Sequence, residues 1–173
     1  PGESLSQTEE AAKARGTLVH LLLEHLPLLP RPDWAAAAGA LIPDAGLAAE
    51  LLAEAARLID TPELGWVFGP ESLAEAPFTA SLGAARLSGT IDRLVVTPDL
   101  VRCVDFKSNS QIPAGPEAVP EGILRQMGAY VAALRQIYPD RPIQPFILWT
   151  RTAQLMPLDP EMVSAALERA AIP

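Results

Sequence analysis

The feature that most constrains this chain is a pair of strand-like segments on either side of Thr97-Pro98-Asp99. Gly89 to Thr97 and Leu100 to Ser108 are rich in β-branched and apolar residues, and a Pro-Asp step between two such runs is a tight turn, so the two form a hairpin. Side chains alternate faces along a strand. In Val101-Arg102-Cys103-Val104-Asp105-Phe106-Lys107, the residues Arg102, Val104 and Phe106 share one face, and Cys103, Asp105 and Lys107 share the other. Asp105 and Lys107 then stand side by side at the end of an otherwise apolar strand. Asp92 lies in the preceding strand, six residues before Pro98, while Asp105 lies seven after it, so the two acids are near cross-strand neighbours.

The rest of the chain supplies helices to cover such a sheet. Ser6 to Leu26 reads as a helix, with Ser6 or Thr8 as its cap, Glu9 and Glu10 in its first turn and Pro27 as its stop. The proline-rich stretch Leu28 to Asp33 is a connector, followed by Ala- and Leu-rich helices over Trp34 to Ile42 and Ala45 to Ile59. Thr61-Pro62 opens a short further element. A first strand is expected over Pro77 to Ser88, ahead of the hairpin. Asn109 to Gly122 carries Pro113, Pro116 and Pro120 and is expected to be a mobile loop bordering the substrate path. Helical periodicity returns over Ile123 to Tyr138, then a strand over Ile143 to Thr150 and a closing helix over Pro160 to Ala171. This order predicts one α/β domain: residues 1–70 form an N-terminal helical section, and 71–173 a mixed central sheet with a helix against each face.

Two acids facing each other in an apolar hairpin repel unless a cation lies between them. A carboxylate at a strand end can hold a hard divalent cation, and an adjacent ammonium can stabilise an attacking hydroxide or a phosphate oxygen. A surface ion pair would place Asp105 beside Lys107 equally well, and Asp92 could pair with Arg93 or Lys107 for structural reasons alone. Gln126 and Tyr130, four residues apart, share one helix face with Ile123, Met127, Leu134 and Ile137, so two polar groups point where the sheet should be. Either they serve a site, or they are a capped core tyrosine and an edge glutamine. His20 lies among leucines, where a histidine is more often a satisfied core residue.

Several chemistries are excluded. His20 and His25 are five residues apart, about 140° around a helix, so both cannot bind one zinc. Gly65 to Gly69 has neither the length nor the lysine of a phosphate loop, and no nucleophile elbow is present. With Cys103 the single cysteine, neither a disulfide nor a four-cysteine metal or iron–sulfur site fits within the chain, and a reducing, cytoplasmic setting is the natural reading. The apolar run Leu18 to Leu29 is interrupted by His20, Glu24, His25 and Pro27, so no membrane span is expected. Pro1 to Glu10 is polar and lacks a basic segment, so no secretory signal is expected. The chain starts without Met and is expected to be a piece of a longer protein.

These residues carry a resemblance. Asp92 followed by Asp105-Phe106-Lys107 resembles the divided acid and Asp/Glu-x-Lys signature of the PD-(D/E)xK nucleases. Gly16 to His20 is similar to the Gly-x-x-x-His helix motif of the RecB-type family. Glu75-Ala76-Pro77-Phe78 resembles that family's acidic entry to its first strand, the loosest of the matches. Gly89 to Leu94 is similar to its Gly-x-x-Asp-Arg strand, Val104 to Ser108 to its Asp-Tyr-Lys-Thr strand with Phe for Tyr, and Gln126 to Tyr130 to its Gln-x-x-x-Tyr helix. The chain most resembles the C-terminal nuclease domain of AddA-type helicase–nucleases of double-strand break repair; AddB-type relatives carry a cysteine-bound iron–sulfur cluster, which this chain cannot.

The resemblance implies a restriction-endonuclease-like core and DNA phosphodiester hydrolysis as part of an end-processing exonuclease. Mg²⁺ or Mn²⁺ would be held by His20, Asp92, Asp105 and the backbone carbonyl of Phe106. Lys107 would orient or help deprotonate the attacking water, and Gln126 and Tyr130 would position the metal shell or the DNA backbone. The implied partners are DNA, the helicase portion of the same parent chain and a partner subunit of AddB type. The competing classes are a catalytically silent DNA-binding or scaffolding module with the same fold, and a metal-dependent phosphoesterase for other substrates. The net charge of −8, from 13 basic and 21 acidic residues, opposes polyanion binding. Either this domain does not bind nucleic acid, or a partner or neighbouring domain supplies positive charge. Arg93 and Lys107 are expected to be committed to the site.

Overall fold

The computed structural model describes residues 2–171. The predicted α/β class holds: a five-stranded mixed sheet lies between two layers of helices. The first layer is α1 (Gly2–His25), α2 (Trp34–Leu41), α3 (Ala45–Asp60) and the single turn α4 (Gly65–Phe68). Helix α1 runs back to Gly2, so Ser6 and Thr8 lie within the helix rather than at its start. It stops where predicted, because Pro27 sits in a tighter turn over Leu26–Leu28. Asp44 caps α3, its Oδ1 accepting the Leu47 N–H at 2.8 Å. Leucines of α1 and α3 pack with Trp34 and Phe68 against Val104, Phe106 and Leu148 of the sheet.

The sheet has the order β1-β2-β3-β4-β5. Strand β1 (Ser72–Leu82) pairs antiparallel with β2 (Ala85–Val96), and β2 with β3 (Val101–Lys107). The turn between β2 and β3 is the one predicted, closed by the Thr97 N–H donating to the Leu100 carbonyl at 2.9 Å. The first hairpin differs from expectation. Its turn is Gly83-Ala84, five residues before the predicted break at Ser88-Gly89, and Gly83 takes φ +58° at the first central position, which only glycine adopts freely. Gly89 lies instead in mid-strand, opposite Phe78. A Cβ there would come within 3.0 Å of the Phe78 ring, so the glycine makes room for an aromatic lying across the strand.

From β3 the chain crosses one face as α5 (Glu121–Ile137) and returns as β4 (Ile143–Trp149), parallel to β3. A short strand that the sequence reading missed, β5 (Gln154–Pro157), pairs antiparallel with β4, and α6 (Pro160–Ala171) packs on α5. This second layer encloses Cys103, Met127, Tyr130, Ile147 and Val163. The loop expected to be mobile is anchored at two points, by partly buried Ile112 and by buried Val119, while Asn109 to Gln111 stay at the surface. No described helix is long and apolar enough to cross a membrane.

Candidate active site

The strand register lines up three acids. Ala74 pairs with Arg93 and Ala76 with Ile91, which sets Glu75 opposite Asp92. Arg93 pairs with Val104, and one step further Asp92 faces Asp105. Neither acidic step makes a ladder pair. Glu75 has φ +48°, a conformation that costs a non-glycine residue on the order of 1 kcal/mol or more and tends to persist where function requires it. Asp92 replaces the ladder bond with its side chain: Oδ2 accepts the Phe106 N–H at 2.6 Å.

The other predicted residues converge on this row. His20, on α1, places Nε2 at 3.2 Å from the Phe106 carbonyl oxygen and Nδ1 at 3.5 Å from Asp92 Oδ1. Lys107 Nζ lies 2.7 Å from Asp105 Oδ2 and donates to Gln126 Oε1 at 2.9 Å. Gln126 Nε2 donates to the Tyr130 hydroxyl at 2.9 Å, and that hydroxyl lies 3.1 Å from the Thr90 carbonyl and 3.3 Å from Asp105 Oδ1. Tyr130 and Gln126 are thus one chain of contacts ending on an acid, which a capped core tyrosine would not require. Ile137, expected on the buried face of the same helix, is half exposed at its end.

Arg93 corrects the sequence reading. It points to the opposite side of the sheet, where its buried guanidinium donates to the Leu23 carbonyl at 2.6 Å and lies over the Phe68 ring. It ties β2 to α1 and serves the site only by holding that helix. Asp92 therefore pairs with neither Arg93 nor Lys107.

The electrostatics follow from burying like charges. Burial raises the Asp105 carboxyl above its ordinary range; Lys107 opposes this and Asp92 reinforces it. Burial likewise raises Glu75, with Asp92 and Glu24 adding to the effect. Burial pulls the His20 imidazole down, but Asp92, with Asp105 and Glu75 beyond it, leaves it above its ordinary value. Burial and the two aspartates hold the Tyr130 hydroxyl firmly protonated, so it acts as a donor.

The donor set suits a hard divalent cation. It offers carboxylates, one carbonyl oxygen and one imidazole, and the buried Asp105 Oδ2 has no well-aligned hydrogen-bond donor despite its ion pair. The 3.2 Å between His20 Nε2 and the Phe106 oxygen is close to the separation of neighbouring ligands around such an ion, about 3 Å for ligand distances near 2.1 Å. Among the described residues, however, no three His, Cys, Asp or Glu side chains converge as a ready-made metal group.

Residues 2–170 match the model of the PD-(D/E)XK nuclease superfamily. The chain belongs to that superfamily. No curated protein matches it. Members of the superfamily are generally nucleases and typically use divalent metals. Thr90 was not foreseen at the site; its contact is through a backbone carbonyl, which no residue pattern announces.

Proposed function

We propose that this domain hydrolyses DNA phosphodiesters with Mg²⁺ or Mn²⁺ as cofactor, as the exonuclease domain of an AddA-type helicase–nuclease. The observation that carries the reading is the convergence of Asp92, Asp105 and Lys107 with Gln126 and Tyr130, in a chain of this superfamily. His20, Asp92, Asp105 and the Phe106 carbonyl would hold the cation, which when bound supplies positive charge to the scissile phosphate and acidifies water. Asp92, fixed by the Phe106 N–H, presents its free oxygen on the His20 side. Lys107 is steered by Asp105 and Gln126, so its ammonium is placed to stabilise negative charge developing on the phosphate. Tyr130 holds one Asp105 oxygen and leaves the other toward Lys107. No side chain here is arranged to read base edges, so sequence specificity is low.

The Asp105–Lys107 ion pair also suits a catalytically silent module, because each group has the other as a counter-charge without any cation. One experiment separates the readings. Mn²⁺ titration calorimetry and degradation of labelled DNA are measured for the native chain and for Asp105→Ala. The proposal requires metal binding and cutting in the native chain and loss of both in the variant. Undiminished metal binding in Asp105→Ala overturns the site, and no cutting by the native chain in any divalent metal favours the silent module. Cleavage of a generic phosphodiester but not of DNA would point to the phosphoesterase class.

A further inference from the structure

We propose that the cleft between α1 and the loop following Lys107 is a binding site for backbone phosphates of the substrate strand, a site distinct from the catalytic one. This rests on the nuclease reading for its substrate, but its own support is separate. The cleft has a volume of about 420 Å³ and is lined by Lys13 and Arg151, by the polar side chains of Ser108, Asn109, Ser110 and Gln111, and by small Ala12. In a chain with 21 acids against 13 bases, this lining contains two cations and no carboxylate. Cations flanked by hydroxyls and amides form the donor set that phosphodiester oxygens take, and nothing in it selects a base.

The neighbouring cleft, which shares Arg151, shows what a structural arrangement looks like. There Arg15 is cancelled by Glu50 at 2.9 Å and Glu54 at 2.6 Å. Lys13, by contrast, is exposed and forms no ion pair among the described residues, not even with Glu9 one helical turn earlier. Arg151 uses Nε to donate to the Ser108 carbonyl at 3.0 Å, and its own carbonyl accepts from Arg57 at 2.9 Å. Its position is fixed while the rest of its guanidinium remains available.

Placement completes the argument. Ser108 directly follows Lys107, whose carbonyl accepts the Thr150 N–H at 2.9 Å, so the cleft and the catalytic strand end are joined through covalent chain and ladder. Ala12, Gly16 and His20 share one face of α1 at four-residue spacing. A Cβ on Gly16 would lie 2.5 Å from Ser108 Oγ, so the helix rests on this loop. From His20 back to Ala12 is about 12 Å along the helix, the rise of about three or four nucleotides of a stacked strand. A strand with its scissile phosphate at Asp105 would therefore lay a later phosphate between Lys13 and Arg151.

The test uses Lys13→Gln and the double variant Lys13→Gln/Arg151→Gln. Binding of a labelled single strand of about ten nucleotides, a length within ordinary single-strand site sizes, is followed by anisotropy without divalent metal across a range of salt. Hydrolysis of a dinucleotide, too short to reach the cleft, is followed with Mn²⁺. The site predicts that the salt slope falls by about 0.7 for the single variant and about 1.4 for the double, with weaker strand binding, while dinucleotide hydrolysis is unchanged. Because the Lys13 side chain holds no described structure together, an unchanged slope in Lys13→Gln overturns the proposal whatever the double variant does to the loop. Equal losses on strand and dinucleotide also overturn it, since the residues would then act at the catalytic centre. If the native chain cuts nothing, yet the slopes fall as stated, the nuclease reading fails and the phosphate site stands.

Discussion

At the scale of the residue, Asp105 illustrates how a site can oppose the fold that carries it. Its carboxyl is buried beside Asp92, and its folded-state pKa lies above the ordinary value of 3.8. An acid raised on folding is a cost at any pH above its folded pKa, and that cost disappears as pH falls toward the unfolded value. In chelator at neutral pH, Asp105→Asn should therefore stabilise the domain by on the order of 1 kcal/mol, about 2–4 °C in a chain of this size. The gain should shrink in mildly acidic buffer. A lower melting temperature for the variant would mean that the ion pair to Lys107 outweighs the burial. Lys107 makes the complementary case, because it pairs with Asp105 but would not ligate the cation. Lys107→Ala should lower DNA cleavage by about 10²–10³-fold while metal affinity holds or rises. An active Lys107→Ala protein would reduce the lysine to a structural ion pair. Cys103 has no such part to play: it is wholly buried, and burial pushes its thiol up to about 12, where it is unreactive.

At the scale of the element, what the sequence shows and what it hides divide along a physical line. The β2–β3 turn was legible because a Pro-Asp step punctuates two apolar runs, and the facing of Asp105 and Lys107 followed from strand alternation. The β1–β2 turn was not, since Gly83 and Gly89 are the same letter: one supplies φ +58° and the other yields space to Phe78. Strand β5 has only four residues and pairs with a neighbour of the same hairpin, too short for periodicity to register. Arg93 looked like a site residue because it adjoins Asp92, yet alternation sends adjacent side chains to opposite faces. Gly128 shows a constraint that emerges only from packing. It lies on α5 where α6 crosses, and an added Cβ would fall against the Val163 carbonyl and within 2.9 Å of Leu167 Cβ. Backbone cannot step aside as a side-chain tip can. Gly128→Ala should thus cost about 1–3 kcal/mol despite the better helix propensity of alanine. Urea unfolding reads this directly, and an unchanged midpoint would show that α6 shifts freely on α5.

At the scale of the whole molecule, charge decides how the domain can meet its substrate. A net charge of −8 repels a polyanion over a distance set by salt, and affinity for DNA comes from Lys and Arg that displace counterions from phosphate. Most of the 13 cations are not free to do so. Arg15, Arg31, Lys107, Arg135 and Arg169 stand in ion pairs with acids of the chain itself. Arg93 is buried on the Leu23 carbonyl, Arg102 lies over Trp66, and Arg141 donates to the Thr97 carbonyl. A cleft holding Lys13 and Arg151 can guide a strand locally without reversing the field around it. We therefore predict that the isolated domain binds DNA weakly, in the range of non-specific contacts of about 10⁻⁴–10⁻⁶ M, and cuts slowly. Rapid, processive cutting should require a motor segment or a partner subunit that feeds the strand toward Asp105. Fragment and full complex compared on one labelled DNA at a single salt concentration provide the measurement. Nanomolar binding by the fragment alone at physiological salt would remove the need for delivery, because the few unpaired cations would then have to carry an affinity that counterion release from so few contacts does not supply.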